Sequence, residues 1–136
     1  METDFLFALR RSDPLHNAAV SLLKEASNGI LRIYISPSSP LEASLVMKAA
    51  GIDEEEISRA LKAMEDIIRG YTNPYFPQLT FTHSSFAAEL RKRYGLTFFD
   101  SLHASVALLE DLTYIGNDNR VREAVKLEGG KARSLR

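Results

Sequence analysis

Amphipathic helical segments alternate with short β-branched and aromatic runs along this chain, and that alternation narrows the fold more than any other feature. Leu15, Ala18, Ala19, Leu22, Leu23 and Ala26 recur at helical spacing behind Asp13-Pro14, and Gly29 supplies the stop. The run Ile30–Ile35 predicts a strand that turns at Ser36-Pro37-Ser38-Ser39-Pro40, and a second helix follows to Gly51. Ile57, Ala60, Leu61, Met64, Ile67 and Ile68 form the stripe of a third helix, begun by Asp53–Glu56 and ended by Gly70. Tyr71–Pro77 reads as a loop, Gln78–Thr82 alternates like a strand, and Ser84–Tyr94 returns to helical periodicity up to Gly95. A helix after Phe98-Phe99-Asp100, a short strand Leu112–Ile115 and a last helix Val121–Leu127 complete the order, with a loose tail expected beyond Gly129-Gly130. Short strands between longer helices predict an α/β class with a parallel sheet covered on both faces. No repeat, linker or low-complexity tract divides residues 1–136, which read as a single domain.

Composition excludes several chemistries. A chain of 136 residues buries roughly two-thirds of its unfolded surface, enough for a core without staples. Zero cysteines exclude disulfides, Cys-based zinc sites, iron–sulfur clusters and a thiol nucleophile, and they fit a cytoplasmic setting. The N-terminus carries Glu2 and Asp4 where a signal peptide would carry positive charge, and no apolar run is long enough to span a membrane. A net charge of −1 argues against coating nucleic acid by bulk charge, yet residues 120–136 hold six basic and two acidic side chains.

Ligands of open parallel sheets sit beyond the carboxyl ends of the strands, so acids at strand-to-helix junctions merit separate inspection. Glu2 and Asp4 precede Phe5-Leu6-Phe7, Glu42 follows Ile30–Ile35, Asp100 opens a helix, and Asp118 lies in Gly116-Asn117-Asp118-Asn119 after a strand. Each has a plainer reading. Glu42 closes a capping box Ser39-Pro40-Leu41-Glu42, Asp100 can N-cap its helix, Asp118 is a turn former, and Glu2 and Asp4 can be terminal charges. Their coincidence at equivalent junctions points further, because clustered carboxylates repel unless a cation neutralises them. Oxygen ligands of this kind select Mg²⁺ or Mn²⁺.

The segments Glu2-Thr3-Asp4-Phe5-Leu6, Glu42 at a helix start, Phe98-Phe99-Asp100-Ser101-Leu102-His103-Ala104-Ser105-Val106-Ala107 and Ile115-Gly116-Asn117-Asp118 resemble the successive acidic motifs of the PIN domain, over nearly the whole chain. The likeness is strongest to small PIN proteins of the VapC toxin type. It implies a three-layer α/β/α PIN-like fold with a central parallel sheet, and a metal-dependent endoribonuclease that forms a homodimer and pairs with an antitoxin protein. Two departures stand out. The family usually places a strand before its first acidic motif and begins that motif with Asp, whereas this sequence opens at Met1, so that either upstream residues are missing or that strand is truncated, and it offers Glu2. On this resemblance Asp100, Glu42 and Glu2 or Asp4 hold the metal, Asp118 completes the cluster directly or through water, and Asp4, Glu42, Asp100 and Asp118 are the catalytic set.

Thr3, Ser101, Asn117 and Asn119 are hydrogen-bonding neighbours suited to orienting those acids, and equally to turns and caps. RNA phosphates would be met by Arg120 and Arg122, which follow Asp118 within one turn, though a solvated helix face explains them equally. Arg91-Lys92-Arg93 reads as a plain exposed face, and Tyr71, Tyr75 and Phe76 as core packing, a dimer contact or base stacking. His16, His83 and His103 show no paired metal spacing, so His103 is expected at a helix surface or partly buried. No nucleophile elbow or Walker loop is present. A PIN-like module without catalysis is the alternative, and a receiver-like phosphoacceptor is disfavoured because no lysine follows a late strand to neutralise an acyl phosphate.

Overall fold

In the computed structural model, which describes residues 1–136, seven helices surround very little strand. In chain order they are α1 (Thr3–Ala8), α2 (His16–Ser27), α3 (Ser39–Ala49), α4 (Glu54–Arg69), α5 (Phe81–Tyr94), α6 (Phe98–Leu109), β1 (Thr113–Ile115), α7 (Asn119–Leu127) and β2 (Lys131–Arg133). The α/β class with a parallel sheet therefore holds, with a smaller sheet than the strand-like runs predict. β1 and β2 pair in parallel, Tyr114 opposite Ala132, and α7 makes the crossover.

Ile30–Ile35 does not form a strand. Its chain is extended, with Ile33 and Ile35 buried, but only Tyr34 forms a bridge, to Tyr75. The Ile35 amide donates to the Tyr75 carbonyl and the Tyr75 amide to the Ile33 carbonyl, both at 2.9 Å. On the opposite edge Met1 alone pairs, its ammonium donating to the Tyr34 carbonyl and its carbonyl accepting from the Ser36 amide. A ladder needs a continuous partner on at least one side, and here each side offers one rung. Beyond Met1, a cavity of about 410 Å³ separates this segment from β1.

Gln78–Thr82 is not a strand either. Thr80 is the N-cap of α5, and its amide donates to Nδ1 of His83 at 3.1 Å, so the helix starts three residues earlier than periodicity indicates. The tail is also ordered. Gly129, at φ +87, turns the chain after α7; Lys131–Arg133 becomes β2; and Leu135 is buried in the core. Asn117 Oδ1 accepts from Ser134 Oγ and the Leu135 amide, which ties the tail to the β1–α7 turn. A Gly-Gly pair that reads as slack is here a tight turn. Truncation after Gly130 is expected to cost about 2–4 kcal/mol, from the burial of Leu135 and the lost β1–β2 ladder. Thermal melts of the two chains check this, and an unchanged midpoint contradicts it.

Two apolar cores result. One holds 16 buried residues from α1 to α4 with Ile33, Ile35, Ile115 and Leu135. The other holds eight, from Leu90 of α5 through Ala104 of α6 and Tyr114 to Val125 of α7. Helices α3 and α6 meet where the two adjoin. No helix is long and apolar enough to cross a membrane.

Candidate metal centre

The five acids singled out by the sequence lie close enough to perturb one another. Glu2 is the N-cap of α1 and Asp4 lies in that helix's first turn; Glu42 lies in the first turn of α3 and Asp100 in that of α6; Asp118 is the N-cap of α7. Five side chains from four helix starts thus share one region, where helix dipoles favour negative charge.

Glu2 is the most constrained. It is 5% exposed, and its Oε1 has no hydrogen-bond partner. Burial first, then the charge of Asp4 and a hydrogen bond with it, then Asp100 and Glu42, push its carboxyl up to about 9. Asp100 is raised as well, by burial and by the charges of Asp118 and Glu42, despite opposing contributions from Thr97 and His103. Glu42 moves the other way. Burial acts to raise it, but hydrogen bonds from His103 and Thr3 outweigh burial and hold it below its usual range.

Glu2 sets a pH signature. Its carboxyl rises from 4.5 to about 9 on folding, so the stabilisation is complete below pH 4.5 and is lost as pH climbs to 9. The Met1 ammonium, lowered by burial from 8.0 to about 6, stabilises above pH 8 and loses that contribution as pH falls to 6. The two oppose each other between pH 6 and 8. The melting temperature of the metal-free chain is therefore expected to fall from pH 4.5 to 6, level off, and fall again above 8. A rise between pH 4.5 and 6 contradicts a protonated Glu2.

The plainer readings fare unevenly. The capping box at Glu42 does not form, because Ser38 occupies the N-cap, Ser39 and Pro40 are already helical, and Glu42 accepts instead from Thr3 Oγ1 and His103 Nε2. Asp100 is not the N-cap of α6; Thr97 is, accepting from the Asp100 amide, which leaves the Asp100 carboxylate free of capping duty. Asp118 does cap, its Oδ1 accepting the Arg120 amide at 2.9 Å. Of the four neutral neighbours, Thr3 alone bonds to an acid of the cluster. Ser101 bonds to the Phe98 carbonyl and Arg91, Asn117 holds the tail, and Asn119 accepts from Arg122.

Arg120 is exposed, whereas Arg122 donates through Nη1 to the Gly116 carbonyl at 2.7 Å. Arg91-Lys92-Arg93 is more than a solvated face: Arg91 lies 5.0 Å from the Phe98 ring centroid and Arg93 pairs with Glu128. Tyr75 stacks on Tyr34 at 4.9 Å, so it serves packing. Sequence reasoning missed the surroundings of the acids. His103 is 2% exposed rather than at a helix surface, and it joins Glu42 to Ser36 and Ser38. Tyr114 is buried with an unpartnered hydroxyl, and burial beside Glu2 raises its pKa. The available signal was the i, i+3 spacing that sets His103 on the Asp100 face of α6.

With the side chains as they stand, no three acids or histidines are arranged to hold a metal ion. The donor chemistry nevertheless fits a divalent cation: an orphaned buried carboxylate oxygen, mutually raised carboxyls and oxygen donors only. No curated protein and no solved structure matches the chain. The family model for the PIN domain matches residues 1–127. PIN domains have a nuclease-type fold and typically use divalent metal ions, and with nearly all of its length matched the chain belongs to the PIN-domain family.

Proposed function

We propose that residues 1–136 form one PIN domain acting as a Mg²⁺- or Mn²⁺-dependent endoribonuclease, the VapC-like toxin of a toxin–antitoxin pair, homodimeric and cytoplasmic. The observation that carries the enzymatic part is the buried, unpartnered Oε1 of Glu2 among Asp4, Glu42, Asp100 and Asp118. Family membership supports nucleic acid as the partner. The toxin role, antitoxin and dimer rest on the likeness to small VapC-type chains.

Glu2, Asp4, Glu42, Asp100 and Asp118 would hold the cation. When bound, it supplies charge neutralisation at the phosphate and a more acidic water. The chain's own residues do the positioning. Thr3 and His103 fix Glu42, the α7 N-terminus fixes Asp118, and Arg120 and Arg122 present cations to the RNA backbone near Asp118. With its carboxyl raised to about 9, Glu2 would give up its proton to a cation held there, so Mn²⁺ binding is expected to tighten as pH rises.

The test is cleavage of an end-labelled, partly unstructured RNA with Mg²⁺, Mn²⁺ or EDTA. Cutting that requires the metal and stops with EDTA is the expected result. No cutting, with no metal binding by calorimetry, favours a PIN-like module without catalysis.

A further inference from the structure

The chain reserves a buried polar relay for Glu42. His103 lies in α6, one turn beyond Asp100, and its partners come from distant sequence: Glu42 is 61 residues away and Ser36 is 67. Nε2 lies 2.9 Å from Glu42 Oε1, while Nδ1 lies 2.5 Å from Ser36 Oγ and 3.3 Å from Ser38 Oγ. Thr3 Oγ1 donates to the same Glu42 oxygen. An interior of apolar side chains would be the simpler solution here, because a buried imidazole is costly unless both nitrogens are bonded.

The bonding pattern has a direction. A carboxylate only accepts, so Nε2 must carry a proton, and in a neutral imidazole Nδ1 is then an acceptor. Glu42 therefore fixes the Nε2–H tautomer, and the hydroxyls of Ser36 and Ser38, which can donate, satisfy Nδ1. The relay runs Ser36 Oγ–H to Nδ1, and Nε2–H to Glu42 Oε1. Two donors thus occupy Oε1, and Oε2 has no protein partner.

We infer that His103, held at its other ring nitrogen by Ser36, is a positioning residue that immobilises Oε1 of Glu42 and leaves Oε2 as the oxygen offered to a divalent cation. This rests on the reading of Glu42 as a ligand. Hydrogen bonds that orient ligating groups commonly carry 10–100-fold of metal affinity, and here the orienting group also ties α6 to α3.

The experiment measures Mn²⁺ affinity by calorimetry on the full chain and on His103→Leu, His103→Gln and Ser36→Ala, with melting temperatures in EDTA. His103→Leu is expected to weaken Mn²⁺ binding about 10–100-fold. The Gln side chain keeps an N–H donor and is expected to restore affinity to within a few-fold of the unaltered chain. Ser36→Ala, which leaves the imidazole in place, is expected to fall between them. Nitrogen-15 spectra of the histidine ring are expected to show the Nε2–H tautomer, and where His103→Leu fails to fold, the Mn²⁺ affinities of His103→Gln and Ser36→Ala carry the test. Equal Mn²⁺ affinity in all chains, affinity losses that merely follow melting temperature with no rescue by Gln, or an Nδ1–H tautomer overturns the inference. Mn²⁺ binding that responds to His103 without any RNA cleavage overturns the ribonuclease reading alone. An unaltered chain that binds no Mn²⁺ overturns both.

Discussion

Replacing Asp100 by Asn is expected to lower metal-dependent RNA cleavage at least about 100-fold while leaving the melting temperature unchanged or higher. The loss follows from the proposed ligand role, since charge stabilisation by a bound cation is worth several kcal/mol and each 1.4 kcal/mol is a factor of ten. The stability side follows from the electrostatics. Burial and the charges of Asp118 and Glu42 raise the Asp100 carboxyl, so its ionised form is disfavoured in the folded chain, and a neutral amide of the same shape removes that strain. Thr97 keeps its capping bond, because it accepts from the backbone amide of residue 100. Rates on labelled RNA and a thermal melt in EDTA test the two halves separately. Full activity rejects Asp100 as a ligand, and a large fall in melting temperature assigns it a structural role.

Gly116→Ala is the second large effect. A Cβ at this position would lie 2.7 Å from Glu2 Oε1 and closer still to the Tyr114 hydroxyl. Both groups are buried, and the tyrosine ring is held in the second core. Overpacking of this kind typically costs about 1–3 kcal/mol. Rotation of the Glu2 side chain relieves its own contact but not the closer one with Tyr114, so the tyrosine must shift as well. Both movements disturb the pocket that holds Glu2, so Mn²⁺ binding is expected to weaken about tenfold or more alongside a lower melting temperature. Unchanged Mn²⁺ affinity in a destabilised Gly116→Ala chain removes Glu2 from the ligand set.

Six of the seven helices were legible because their periodicity is local, whereas α1, six residues long, is too short to show one and was not foreseen. The stripe Ile57 to Ile68 and the stops at Gly29, Gly51 and Gly95 each act within a few residues, and all three glycines adopt the left-handed conformation that ends a helix. Strands were less legible because a ladder is a property of two segments. Ile30–Ile35 has the right side chains for a strand and only single-residue partners on each side. Lys131-Ala132-Arg133 has unpromising side chains and becomes a strand because β1 offers it an edge through the α7 crossover. The acids could be found from their order along the chain. Their supporting shell could not, since nothing local distinguishes the capping-box reading of Glu42 from the contact it makes with His103.

The acidic site straddles the boundary between two packing units. Glu2, Asp4 and Glu42 are carried by helices anchored in the core of α1 to α4, whereas Asp100 and Asp118 are carried by α6 and α7, anchored in the other. Regions with separate cores open separately in native-state exchange, each with its own free energy. Like charges facing one another across that boundary favour its opening. A cation held from both sides, as proposed, would close it, and at one hundred times its dissociation constant would add about 2.7 kcal/mol to the closed form. On the proposed ligand role, ion occupancy would therefore tune how cooperatively the two packing units open, with β1 shared between them through Ile115 and Tyr114.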